Sequence, residues 1–425
     1  MSSPTKPRVA VIGSGPAGCY LAQSLLRAVP GCEITIFERF AAPYGLVRYG
    51  VAADHQHTKA ITRQFERLLQ DPAVRFAGGI EVGRDVTLGQ LRHLFDAVVI
   101  ATGLDADRGL GVPGADLPGV IGSGALTRVL NSHPHAGTAL PPLGTEVVVV
   151  GAGNVALDVL RFLVKDREDY AGSDVADAAL DAYLAAPAER VTLVSRSAAA
   201  LSKGDPQMLR ELAALPRAAY RCPDPLDAPA DAERDRSVIA RLSAIAEMIS
   251  PERPHSGGPE VTLRFGLTPQ RILGGDRVEA VEFASADGET VTIPATSVVT
   301  AIGFESAPGH PFAWLTSEPA ESGRIEAGLY RTGWAKRGPR GAIPENRACA
   351  KAVAEEIAAD LADGTLAVRP GRPGFEGLPA ELRERAIDAG QWLALDAHER
   401  AAAAPGRARR KDPDHERMLA VARGE

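Results

Sequence analysis

Two apolar strands that each run straight into a glycine turn constrain this chain more than any other feature. Arg8–Ile12 (RVAVI) ends on Gly13-Ser14-Gly15-Pro16-Ala17-Gly18, and Glu146–Val150 (EVVVV) ends on Gly151-Ala152-Gly153-Asn154-Val155-Ala156. A buried strand, a glycine turn and a helix open a βαβ unit that can hold a dinucleotide. The first glycine permits the tight turn and the second lets backbone approach a pyrophosphate. The third lets the helix pack closely, and the helix N-terminus faces the phosphates. Two such openings in 425 residues predict an α/β protein with two Rossmann-like dinucleotide-binding domains.

Each opening has its second strand, Glu33–Glu38 (EITIFE) and Arg190–Ser195 (RVTLVS). Glu38 lies 20 residues past Gly18, where a carboxylate can accept from both hydroxyls of an adenosine ribose. A ligand-free glycine turn is the plainer alternative, and the strand and helix around it weigh against that reading. The second start has Ala156 at the third glycine position, and its ribose-reading strand ends Ser195-Arg196-Ser197 without an acid. An arginine flanked by hydroxyls suits a 2′-phosphate, which favours NADPH over NADH. The alternative for Arg196 is a surface arginine that simply follows a strand.

Buried return strands are expected at Ala97–Thr102 and Ser297–Ile302, ending at Gly103 and Gly303. Val261–Phe265, Val278–Phe283 and Thr290–Ile293 read as a meander. Helical periodicity marks Thr58–Leu69, Asp166–Ala186, Ser237–Met248 and Arg347–Leu361. The Ala/Arg-rich end, Arg400–Glu425, reads as a solvated tail or surface helix.

A net charge of −7 argues against a nucleic-acid binder. No apolar run approaches the ~18 residues that span a bilayer. The short polar start before Arg8 does not resemble a secretory signal, so a cytoplasmic protein is expected. Cys19, Cys32, Cys222 and Cys349 form no CxxC pair, so neither a redox disulfide nor a metal or iron–sulfur site on this chain is expected. Any electrons must therefore sit on a bound cofactor.

Four runs resemble the adrenodoxin reductase family, which includes the bacterial FprA-type ferredoxin–NADP reductases: Val9–Gly18, Pro43–His55 (PYGLVRYGVAADH), Gly153–Val159 (GNVALDV) and Gly333–Gly341 (GWAKRGPRG). The second and fourth are far more specific than either glycine turn, and they lie far apart, so the similarity is global. It implies an FAD domain built from residues 1–103 and 304–425, with an NADP domain, residues 104–303, inserted between them. It also implies that Gly13, Gly15, Pro16, Ala17, Gly18, Glu38, Leu46, Val82 and Gly103 hold FAD, with Trp334, Gly341, Ala342 and Ile343. Arg108, Gly151, Gly153, Asn154, Val155, Ala156, Leu157, Arg196 and Ser197 would hold NADP, and Gly341 would touch both cofactors. His55 would act near the flavin, paired with Glu211.

The implied activity carries electrons from NADPH through FAD to a ferredoxin-type iron–sulfur protein, in a protein expected to be a monomer. Arg161, Lys165, Arg167 and Arg210 are candidates for a basic docking patch, with a plain solvated helix end as the alternative. The chain departs from the family at Ser197, where a second arginine is usual, at Met208, and at Pro344-Glu345. Lys203 is a possible replacement for the lost arginine, though as a point charge rather than a fork. A flavoenzyme acting directly on a small molecule is the alternative function, and a non-catalytic flavin-binding protein a remoter one.

Overall fold

The structure is a computed structural model and describes residues 6–228, 235–316, 318–341 and 343–425. The chain divides into two units. One takes the chain up to Ala106 and again from Phe304 onward; the other is Asp107–Gly303.

The first unit is organised by a six-stranded sheet in the order Arg324–Glu326, Leu329–Arg331, Ala97–Ile100, Arg8–Ile12, Glu33–Glu38, Val74–Gly78. Every pairing is parallel except the antiparallel one at the Arg324–Glu326 edge. The inner strands are continuous apolar runs because both faces are covered. Leu21, Leu25, Ile34, Ile36, Val353 and Ile357 pack on one face. Phe37, Ile80, Leu91, Phe95 and Val98 pack on the other. Helices Pro16–Ala28 and Ile343–Asp363 pack together, so the two ends of the chain share one core.

The second unit has a fully parallel sheet in the order Val120–Gly122, Ser297–Thr300, Glu146–Val150, Arg190–Ser195, Glu260–Phe265, Ala219–Arg221. A three-stranded antiparallel sheet accompanies it: Thr268–Gly274, Val278–Ala284, Thr290–Pro294. The expected meander is therefore corrected in one member. Val261–Phe265 lies in the parallel sheet, with Val261 opposite Val191. Its alternating burial looks antiparallel in sequence, because alternation reports one covered face and not strand direction. The true first meander strand carries Pro269 and Gly274, both weak strand signals. Residues expected as one helix at Thr58–Leu69 form two, Gln56–Lys59 and Thr62–Leu69. Among the described residues no helix is long and apolar enough to cross a membrane.

The C-terminal end is not a solvated tail. Helices Ala389–Ala401 and His415–Arg423 fold onto the first unit and bury Met418 and Ala422 beside Trp392 and Leu395. They also enclose a charge from the other end of the chain. Arg48 donates to Glu399 at 2.5 Å, with side chains 4% and 0% exposed. The guanidinium lies over the Tyr49 and Trp392 rings, 5.1 and 5.3 Å from their centroids. Lys411 Nζ donates to the Arg48 carbonyl at 3.0 Å, and Asp412 N donates to Glu399 Oε1 at 3.2 Å. Arg409 reaches both Asp396 and Glu399. Composition misled here because the acids that neutralise the late arginines precede the Ala/Arg-rich stretch.

Removing one partner of a buried ion pair leaves the other charge stranded. Glu399→Ala should therefore lower the unfolding free energy by about 3–5 kcal/mol in chemical denaturation, and Glu399→Leu combined with Arg48→Met should recover most of the loss. Burial raises the Asp396 carboxyl, but Arg409 and Arg400 outweigh it and hold the group below its ordinary value. A depressed carboxyl contributes stability at neutral pH that is lost as pH falls through its folded value. Amide exchange across residues 389–423 should therefore accelerate only below about pH 4, the ordinary aspartate range.

Candidate functional site

In the first unit, the turn after Arg8–Ile12 is shaped by what its glycines lack. Gly13 has φ +105°, and a Cβ there would lie 2.6 Å from the Ala101 carbonyl oxygen. A Cβ on Gly18 would lie 2.1 Å from the Gly13 oxygen and 3.3 Å from Val11 Cγ1, so the helix sits directly on its own strand. Gly15 differs: the nearest atom to its missing Cβ is Gly45 Cα, at 4.0 Å. That opening is the cradle a pyrophosphate needs. Pro16 occupies the first helical turn, where no backbone donor is lost.

The other motif runs converge on this turn. Gly45, φ +47°, brings the Pro43–His55 run against Gly15. Gly333, φ +64°, brings the Gly333–Gly341 run against Ala17, whose Cβ is 2.4 Å from the Cβ that Gly333 lacks. Leu46 starts the short helix Leu46–Tyr49, and Val82 is buried near Ile80. Trp334 stacks on Phe304 with centroids 5.5 Å apart, and its indole N–H donates to the Gly341 carbonyl at 3.3 Å. Gly103 has open space where a Cβ would be. Ile343 begins its helix, and Ala342 lies outside the described residues.

Glu38 is less available than its position suggests. Its Oε2 accepts from Ser14 N at 3.2 Å and Ser14 Oγ at 2.6 Å, and its Oε1 accepts from Phe40 N at 3.2 Å. A carboxylate has about four lone-pair positions, so roughly one is left. Glu38 thus holds the turn through Ser14 and keeps room for one further donor. Sequence reasoning missed both Ser14 and Thr102. The Thr102 hydroxyl, beside Gly103, is buried with no hydrogen-bond partner among the described residues. A buried orphan hydroxyl beside an open cradle fits a polar ligand. The first unit's residues therefore fit a flavin dinucleotide.

The second unit repeats the turn. Gly151 has φ +126°, and a Cβ there would lie 2.3 Å from the Ala301 oxygen. Within helix Asn154–Val164, Ala156 is fully buried, Leu157 is buried, and Val155 is 37% exposed. Asn154 Oδ1 accepts from Asp205 N at 2.9 Å. Ser197 N donates to Ser195 Oγ at 3.1 Å, and its carbonyl accepts from Gly266 N. Arg196 and Arg108 are exposed, and neither forms an ion pair among the described residues. Pro344 costs no hydrogen bond, because it lies in the first turn of Ile343–Asp363, where Glu345 also suits the helix dipole.

His55 stands at the N-terminus of the helix Gln56–Lys59 in the first unit, and its side chain makes no capping hydrogen bond there. Glu211, its expected partner, has Arg161 of its own unit at 3.0 Å. That ion pair also corrects the basic patch. Arg161 and Lys165 are buried at 7% and 5% exposure, and Lys165 donates to the Asp169 carbonyl. Arg167 pairs with Asp181, and Arg210 lies 3.7 Å from Glu247. Arg161 and Lys165 are thus engaged locally and buried, whereas Arg167 and Arg210 keep half-exposed side chains beside nearby acids.

All four cysteines are free thiols. Burial, with Glu38 nearby, pushes the Cys19 thiol up, and burial pushes Cys32 up to about 11. Neither supplies a thiolate at neutral pH. No metal-holding cluster occurs among the described residues.

Residues 7–215 match the model of the pyridine nucleotide-disulphide oxidoreductase family. The chain is 38% identical to cindoxin reductase of Citrobacter braakii, over 98% of this chain and 92% of that protein. It is 33% identical to NADPH-ferredoxin reductase FprA of Mycobacterium leprae, over 98% of each. It is 32% identical to mitochondrial NADPH:adrenodoxin oxidoreductase of Arabidopsis thaliana, over 94% of this chain and 92% of that protein. The solved structure of Mycobacterium tuberculosis FprA in complex with NADPH superposes with a TM-score of 0.86 at 29% identity, covering 99% of this chain and all of the other.

An orphan hydroxyl that a ligand satisfies gives a substitution opposite signs in the two states. Thr102→Val should leave the flavin-free protein as stable or more so by thermal melting. The same change should weaken FAD binding roughly fivefold, about 1 kcal/mol, in a fluorescence titration.

Proposed function

The chain belongs to the adrenodoxin reductase family, with its FprA-type NADPH–ferredoxin reductases, and on that premise we propose that it passes electrons from NADPH through FAD to a ferredoxin-type iron–sulfur protein. The observation that carries the reading is the approach, within one unit, of two further motif runs to the first glycine turn, Gly45 against Gly15 and Gly333 against Ala17. Bound FAD would supply the conversion this transfer needs, since nicotinamide gives two electrons at once and an iron–sulfur cluster takes one.

The residues divide the work of holding the two dinucleotides. Gly13, Gly15, Pro16, Ala17 and Gly18 would hold the FAD pyrophosphate at the helix N-terminus, and Glu38 would take one ribose hydroxyl beside Ser14. Leu46, Val82, Gly103, Trp334, Gly341, Ala342 and Ile343 would surround the rest of it, and Thr102 would donate to it. The unit Asp107–Gly303 would hold NADP through Gly151, Gly153, Val155, Ala156 and Leu157, with Arg108, Arg196 and Ser197 at its phosphates. Asn154 would act there indirectly, by tying Asp205 to the turn. His55 would orient the reacting ring from the flavin side, with Glu211 held by Arg161 on the nicotinamide side. No acid–base group is demanded by hydride transfer, so positioning dominates. The relatives' names differ in the acceptor, being cindoxin, ferredoxin and adrenodoxin, so the acceptor is the variable part of the function. A cytoplasmic monomer completes the proposal.

Anaerobic titration of the FAD-loaded protein tests this. NADPH should bleach the flavin stoichiometrically, NADH at equal concentration should do so far less efficiently, and added ferredoxin should carry the electrons on to cytochrome c. Equal reduction by NADH would remove the reading of Arg196. No transfer through any ferredoxin would remove the proposed acceptor.

A further inference from the structure

Lys203 follows Ser197 by six residues and precedes the helix Pro206–Ala214. Its backbone is fixed from two sides. Arg241, on helix Arg236–Met248, donates to the carbonyls of Ala200 at 2.6 Å and Gly204 at 3.0 Å. On the other side, Asp205 N donates to Asn154 Oδ1 at 2.9 Å, and a Cβ on Gly204 would lie 3.3 Å from the Ala152 oxygen. Residues 200–205 are thus clamped against the second glycine turn.

Lys203 Cβ lies 3.9 Å from the Cβ that Gly153 lacks, and among the described residues no other atom beyond Gly153 and its two chain neighbours lies within 4 Å of that point. Gly153 is the position whose missing side chain admits a pyrophosphate. The lysine is exposed and forms no ion pair among the described residues. Asp205, two residues on, uses Oδ1 to cap the helix Pro206–Ala214 by accepting from Gln207 N at 2.8 Å. Arg196 stands elsewhere, just past the end of strand Arg190–Ser195, where the adenosine ribose is read.

We propose that Lys203 binds the pyrophosphate of the nicotinamide cofactor, which leaves Arg196 to read the 2′-phosphate alone. Lys203 is then not a displaced copy of the missing second arginine. It supplies affinity common to both nicotinamide cofactors, and Arg196 supplies the discrimination between them. A compact ammonium on a flexible stem suits a pyrophosphate whose oxygens point several ways, whereas a planar fork suits a terminal phosphate. The inference rests on the assignment of NADP to this unit.

The test is calorimetric titration of the oxidised, FAD-loaded protein with NADP+, NAD+ and adenosine 2′-monophosphate, which carries the 2′-phosphate but no pyrophosphate. Lys203→Ala should weaken NADP+ and NAD+ by the same factor, roughly tenfold, and leave adenosine 2′-monophosphate unchanged. Lys203→Arg should restore most of the loss. Arg196→Ala should weaken NADP+ and adenosine 2′-monophosphate roughly tenfold or more and leave NAD+ unchanged. The proposal is overturned if Lys203→Ala weakens NADP+ and adenosine 2′-monophosphate but spares NAD+, or if it changes nothing. A wild-type protein that binds neither NADP+ nor NAD+ would remove the cofactor assignment itself, and the proposal with it.

Discussion

The approach of a helix to the strand that precedes it sets what the rest of the first unit can do. Gly18 lies so close to Gly13 that any side chain would overlap the Gly13 carbonyl. Only at that distance does the N-terminus of Pro16–Ala28 point its unpaired N–H groups into the space above Gly15. Gly45 can then close on Gly15 and Gly333 on Ala17, because they too lack the atoms that would hold them away. The turn, the loop and the C-terminal run form one cradle by shared absence of side chains. The second unit achieves its tight turn with Gly151 but tolerates Ala156 at the third position, buried and without polar demand.

A buried charge links the flavin loop to the end of the chain. Arg48 follows Gly45 by three residues and cannot be solvated where it lies. Glu399, two aromatic faces and the Lys411 contact to its carbonyl supply the interactions that water would otherwise give. The last two helices are therefore part of what shapes the loop on which Leu46 sits. Their distance in sequence from residue 48 is bridged by the shared sheet and core of the first unit.

Two of the three departures from the family pattern, Ser197 and Met208, fall in the second unit, and the third, Pro344-Glu345, lies in the first. On the proposed assignment Arg196 serves the ribose end of the dinucleotide and Lys203 the pyrophosphate end, in a stretch whose backbone Arg241 and Asn154 clamp. Such a division would keep phosphate affinity while resting selection on one guanidinium.

The sequence by itself determined the two strand–turn–helix starts, the second strands at Glu33 and Arg190, and the glycines of the two turns. These are local signals, because burial on both faces, turn geometry and helix start all act within about 20 residues. It also held the long-range kinship of the Pro43–His55 and Gly333–Gly341 runs. Tertiary structure alone decided strand direction at Glu260–Phe265, whose alternation is equally compatible with either direction. It decided that Arg161 and Lys165 turn inward to local partners, and that Arg400–Glu425 is packed against Arg48. It gave Glu38 to Ser14, and it left the Thr102 hydroxyl buried with no hydrogen-bond partner among the described residues. Those outcomes depend on which distant groups meet in a water-poor space, and a charge or hydroxyl carries no mark in sequence of the partner it will find there.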